Sequence, residues 1–242
     1  TYNSKFLKDD SIAGTLRDKH NQTLALALNG DRLDKAGGGG LNFWRFGLTS
    51  GILDLSGVAA DKEFDAATYR TNGRFDKFNY YFSRLQRLPG QFTMFADLTG
   101  QQAAGNLDSS EKMYLGGPGG VRAYSGSEAG GDNAQLFSLE LRTDWPTVTP
   151  LGTVQFQTFY DVGHVNLHKS PNDIPIPTAT GKNSYTISGA GLGFSLTRPG
   201  RYIISALWAH SIGDNPGRRF SGDNADSDNN ASRIWLQGML WF

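Results

Sequence analysis

Apolar and polar positions alternate with a period of two along most of this sequence. Leu24, Leu26 and Leu28 share one side of a segment whose other side carries Thr23, Ala25, Ala27 and Asn29. Trp44, Phe46 and Leu48 stand opposite Arg45 and Thr49, and Phe78, Tyr80 and Phe82 alternate with Lys77, Asn79 and Tyr81. The pattern returns in Phe92, Met94, Ala96 and Leu98, in Phe137, Leu139 and Leu141, and in Val154, Phe156, Thr158 and Tyr160. It closes with Ala190, Leu192, Phe194 and Leu196, then Tyr202, Ile204, Ala206 and Trp208, then Ile234, Leu236, Leu240 and Phe242. Each run offers one lipid-compatible face and one mostly wet face, the signature of a membrane-spanning strand. With a first, incomplete strand over residues 2–7, the pattern predicts about ten strands.

The connections alternate as well. Those at 33–38, 87–90, 146–152 and 198–200 are short and rich in Gly or Pro, whereas those at 9–20, 56–72, 107–133, 165–184 and 214–232 are long, polar and charged. A transmembrane barrel has this asymmetry, with tight turns on one side and loops on the other. If Phe242 ends at the periplasmic side, every long loop lies at the outer mouth, and Phe242 marks the membrane-insertion end. A soluble β-sandwich also alternates, but its two-sheet core would require a complement of facing apolar positions that the sequence lacks.

Composition narrows the choice further. The chain has 242 residues, 38% of them apolar, with 31 glycines, 12% aromatic residues and zero formal net charge. Glycine and aromatics together suit short strands, aromatic girdles and thinned walls, and the charge balance gives no support to a nucleic-acid reader. No run approaches the roughly 18 apolar residues of a membrane helix. The absence of cysteine excludes disulfides and thiolate metal sites. No signal peptide is visible at Thr1, as expected for a processed chain or one that begins inside a longer one.

Enzymatic chemistry has little footing. His20, His164, His168 and His210 are too dispersed for a metal pair, no GxSxG elbow occurs, and GGGG at 37–40 lacks the lysine and helix of a phosphate loop, reading instead as a turn into a strand. The sequence predicts no catalytic, metal or cofactor site. A passive porin or channel is the stronger alternative, because inward polar groups would serve selectivity too.

The segment 111–142, EKMYLGGPGGVRAYSGSEAGGDNAQLFSLELR, departs from the barrel pattern. Gly116, Gly117, Gly119 and Gly120 around Pro118 allow a reversal in a confined space. If Arg122 lies away from bulk water it needs a carboxylate. Asp161 and Glu140 lie on wet faces of their strands and are available. Composition alone favours Arg122 as a solvated loop arginine and Asp161 as merely a strand-end residue.

LGGPGGVRAY followed by GSEAGGDNAQLFSLELR resembles the outer-membrane transporters of two-partner secretion, the haemolysin-activator and filamentous-haemagglutinin transporter family, and more distantly the wider barrel-assembly superfamily. The resemblance implies that the loop at about 107–133 folds into the lumen with Gly120, Val121, Arg122, Ala123 and Tyr124 as its tip. It further implies that Arg122 meets Asp161 in the strand motif FYDVGHV, with Glu140 as a secondary partner; Glu128 and Asp132 are expected to hold the loop's shape. It places the protein in the bacterial outer membrane, inserted there by the barrel-assembly machinery, and makes it a translocator of an unfolded partner exoprotein from periplasm to surface. A complete barrel of the family has sixteen strands preceded by periplasmic domains. Residues 1–242 then correspond to the C-terminal part of such a barrel, to a chain with omitted regions, or to a smaller derived barrel.

Overall fold

The computed structural model describes residues 1–11, 14–145, 150–171 and 174–242. Its strands are β1 (Tyr2–Ser11), β2 (Gly14–Asp34), β3 (Gly40–Asp54), β4 (Gly73–Arg87), β5 (Phe92–Ala103), the two-residue β6 (Met113–Tyr114) and β7 (Gly130–Gly131), β8 (Asn133–Asp144), β9 (Thr153–Asn166), β10 (Ser184–Arg198), β11 (Tyr202–Ile212) and β12 (Ser232–Leu240). Ten of them form one antiparallel sheet in the order β1-β2-β3-β4-β5-β8-β9-β10-β11-β12. Neighbours in space are neighbours in sequence except at β5 and β8, where the intervening segment carries the separate β6–β7 ribbon.

Register decides which side chains share a face, because a period of two sends alternate residues to opposite sides. Gln157 pairs with Gly193 and Arg142, and Asp161 with Gly189 and Ser138, so these positions line one face. Leu26 opposite Leu48, Phe46 opposite Tyr80 and Phe194 opposite Phe156 line the other. On that second face Leu26, Leu48, Leu192 and Leu236 are each more than half exposed, and Phe46 packs against Phe78 and Phe82. Such a band of exposed apolar residues would be unfavourable in water and is favourable against acyl chains. The first face, here called inner, is the one on which residues 104–132 pack.

All the long connections leave the sheet at one end. There β3 and β4 are joined by residues 55–72, β5 and β8 by 104–132, β9 and β10 by 167–183, and β11 and β12 by 213–231. The opposite end carries the short links 35–39, 88–91 and 199–201; the predicted turn at 146–152 falls mostly on residues 146–149, outside the described residues. Phe242 lies at this short-turn end, just beyond Trp241, whose amide donates to the Arg201 carbonyl.

Two expectations change. Residues 9–11 and 14–20 pair as strands, Asp9 with Arg17 and Asp10 with Thr15, in place of the expected loop. Their ladder is decorated by polar contacts, Thr15 and Lys8 to Asp10, instead of apolar alternation. A strand that projects beyond the bilayer keeps its backbone ladder without needing an apolar face. Residues 56–72 contain a helix, α1 (Ala59–Ala67), closed at its C-terminus by the buried Asp65 carboxylate, which accepts from the Thr71 and Asn72 amides.

Candidate functional site

The largest buried apolar cluster lies between the inner face and residues 104–132. Leu115, Val121, Ala123 and Tyr124 of the connection pack with Leu136, Phe159, Val165, Tyr185, Ile187 and Ala209 of the sheet. Small residues make the approach possible. A Cβ at Gly163 would lie 2.9 Å from Leu115 Cδ1, and one at Gly189 would lie 2.7 Å from Ala123 Cβ. The wall is thinned where the loop presses on it.

The tip is a compact backbone knot. Val121 N donates to the Leu115 carbonyl at 2.6 Å, Gly120 N to Gly117 O at 3.0 Å, and Gly117 N to Tyr124 O at 2.9 Å. Gly117 holds φ +100°, a conformation that side chains disfavour, and Gly120 has no room for one, since a Cβ there would fall 2.1 Å from Leu115 O. Gly116 bridges to Val121 across the turn.

Arg122 projects from this knot and is 5% exposed. Its Nε donates to Asp161 Oδ2 at 2.9 Å and its Nη2 to Asp161 Oδ1 at 2.6 Å, a two-pronged pairing that fits the planar guanidinium. The Arg122 amide also donates to Asp161 Oδ2, at 3.1 Å. Nη1 donates to Glu140 Oε1 at 2.6 Å, while Glu140 Oε2 accepts from Arg142 Nε at 2.7 Å. Below the guanidinium, its central carbon stands 3.6 Å from the centroid of the Phe159 ring. Arg122 is thus paired with two carboxylates, and Arg142, itself half-buried, shares Glu140, which is what makes burial of Arg122, Asp161 and Glu140 tolerable. Burial would lower the pKa of Arg122, but the hydrogen bonds and charges of Asp161 and Glu140 hold it above the usual arginine value.

The other predicted residues fall around this centre. Asp132 is fully buried and accepts from Leu107 N, Lys169 N and Lys112 Nζ, fastening the loop base to the connection after β9. Glu128 is also buried; its carboxylate accepts from Asn215 Nδ2 at 3.0 Å and Ala225 N at 2.9 Å, in the 213–231 connection. Tyr124 is buried in the core cluster, and burial pushes its phenol above the ordinary value against a hydrogen bond to Ser211. Phe242 lies far from all of these, at the short-turn end.

Further anchors were not anticipated. Glu111 pairs with Lys77 Nζ at 2.8 Å and accepts from Asn21 Nδ2 at 2.8 Å, and Lys19 pairs with Asp108. Trp235 of β12 donates its indole N–H to the Arg122 carbonyl at 2.8 Å. Phe159 and Trp235 could have been placed by alternation, since each occupies an inner-face position of its strand. The loop-to-loop partners carry no such signal.

The sequence profile of the family described as "Haemolysin secretion/activation protein ShlB/FhaC/HecB" matches residues 6–196. The chain belongs to this family. Among curated relatives, the heme/hemopexin transporter protein HuxB of Haemophilus influenzae is 28% identical over 245 residues, covering 100% of this chain and 40% of HuxB. The outer membrane transporter CdiB of Dickeya dadantii is 26% identical over 140 residues, covering 58% of this chain and 25% of CdiB. The chain thus spans about 40% of the length of the first of these relatives. Among solved structures, CdiB from Escherichia coli superposes with a TM-score of 0.59 at 14% identity, covering 99% of this chain and 49% of that one. BamA from Haemophilus ducreyi superposes with a TM-score of 0.50 at 13% identity, covering 98% and 58%. The family and these curated transporters place the chain in the bacterial outer membrane, and the solved structures give its ten-stranded sheet the fold of a β-barrel wall.

Proposed function

We propose that the protein containing this barrel wall exports an unfolded partner exoprotein from the periplasm to the cell surface. The observation that supports the reading most is the buried fork of Arg122 between Asp161 and Glu140. A loop that enters at the outer mouth and is clamped halfway down the wall is a plug with a releasable catch. A passive pore gains nothing from such a catch, whereas a conduit for an extended polypeptide must be shut when idle and yield when loaded. The step needs no covalent chemistry. The exoprotein would enter as an extended chain, displace the plug along the polar inner face, and be kept from returning by folding outside. The acyl chains of the outer membrane cover the apolar outer face, and the barrel-assembly machinery would insert the wall.

Cells carrying the full-length transporter and its exoprotein provide the test. Deleting the transporter should abolish surface display of the exoprotein and leave uptake of small solutes unchanged. Loss of solute uptake with surface display intact would sink the export reading and favour a passive porin.

A further inference from the structure

The Arg122 tip touches the sheet at two carboxylates, but the loop that carries it also reaches the terminal hairpin of β11 and β12 at three other points. Tyr124 packs in the buried cluster that includes Ala209 of β11. Glu128 accepts from Asn215 and Ala225 in the connection between the two strands, and Asn215 is in turn bonded to Asn224 at 2.9 Å. Trp235, on the inner face of β12 opposite Leu207, donates to the Arg122 carbonyl. The last contact is the most telling. It joins the residue that forms the catch to the strand that ends the sheet order, and it uses the backbone of Arg122, leaving the guanidinium free for Asp161 and Glu140.

We propose that Trp235 is a positioning residue for export, coupling the seat of the Arg122 tip to strand β12, with Glu128 tying the same loop to the hairpin's connection. The proposal rests on the export reading. While the tip is seated, the indole N–H has its acceptor and β12 is braced from inside the lumen. When the tip withdraws, that N–H faces the inner face without its acceptor, and β12 loses its brace from the lumen. Plug release and loosening of β12 then become one event, so displacing the plug also softens the wall beside it. Glu128 fits the same role: its two donors are uncharged, so the link can be broken without stranding a cation.

The test uses the full-length transporter, in cells for exoprotein secretion and reconstituted in bilayer discs for hydrogen exchange of the backbone amides in β12. Trp235→Phe keeps the ring and deletes only the N–H. It should raise exchange in β12 by about three- to tenfold and lower secretion, while the protein remains a heat-modifiable inserted barrel. Arg122→Ala should raise the same exchange, and the double variant should exceed the larger single effect by little. If Trp235→Phe matches wild type in exchange and secretion while Arg122→Ala is impaired, the coupling is overturned and the export reading stands. Normal secretion in Arg122→Ala would overturn both. Should Trp235→Phe fail to insert, Glu128→Gln tests the same linkage from outside β12: faster exchange over 213–231 with reduced secretion supports it, and wild-type behaviour overturns it.

Discussion

His168 shows how a single buried residue sets conditions for the whole cap. It sits just beyond β9, its ring tilted against that of Tyr69 at 5.4 Å between ring centres, with Lys112 Nζ 3.5 Å from its Nδ1. Burial, reinforced by Lys112 and opposed by Asp132, lowers its pKa from 6.5 to about 4. The closed loops therefore hold a neutral imidazole, while an opened loop would hold an ordinary one. Above pH 6.5 both forms are neutral and nothing is lost. As pH falls from about 6.5 towards 4 the opened form gains a proton that the closed form refuses, so opening should become roughly tenfold more favourable per pH unit within that window. Protease nicking of residues 167–183 in reconstituted protein should follow this curve, and His168→Gln should flatten it. A nicking rate independent of pH in the wild type would contradict the assignment. What the sequence revealed at this scale was uneven. Asp161 and Glu140 were readable because a strict two-residue period puts them on the wet face of their strands. The partners of Glu128 were not, because residues 213–231 obey no periodicity and only the fold brings Asn215 and Ala225 to it.

The elements divide in the same way. The lipid-facing strands were legible because the bilayer demands an apolar side chain at every second position. Helix α1 was not, since its N-cap is Val58 with no side-chain cap and its sequence AADKEFDAA has few apolar residues to mark a buried face. The hairpin of β1 and β2 beyond the bilayer escaped for a related reason: its ladder is held by backbone bonds and polar pairs that read as loop. Two tests belong here. Cysteines at Phe78, Phe92, Phe156 and Leu192 should resist a membrane-impermeant thiol reagent, and those at Gln155 and Gln157 should react; equal labelling of both sets would refute the face assignment. A lysine in place of Leu192 should cost about 2 to 4 kcal/mol if that position lies near the bilayer midplane, read as reduced resistance of the folded barrel to urea. The second concerns β10, where Gly189 makes room for the loop. Gly189→Val would drive a side chain into Ala123, at a cost of about 1 to 3 kcal/mol. The strand should still insert, and the tip should lift, exposing a cysteine placed at Ala123 to external reagent. Continued protection of that cysteine would show that the loop does not depend on the thinned wall.

In the whole molecule these pieces form one device. Ten antiparallel strands supply a wall with an apolar outside and a polar inside, and the long connections gather at one mouth. One of them returns along the inner face to the charge cluster of Arg122, Asp161, Glu140 and the half-buried Arg142. Anchors at Glu111, Asp108 and Asp132 fix the base of that loop, while Arg122 fixes its tip. On the export reading proposed above, the tip is the part that would be released, because its clasp is a small number of strong, directional contacts at the far end of the loop. The central claim is that the clasp itself, and neither charge alone, supports export. A double-mutant cycle on exoprotein secretion, normalised to inserted barrel, tests it most directly with Arg122→Ala, Asp161→Ala and the pair. Each single change leaves a buried charge without its partner and should reduce secretion severely. The double change should be clearly less damaging than the two single losses combined, whereas strictly additive losses, or normal secretion in both single variants, would contradict the account.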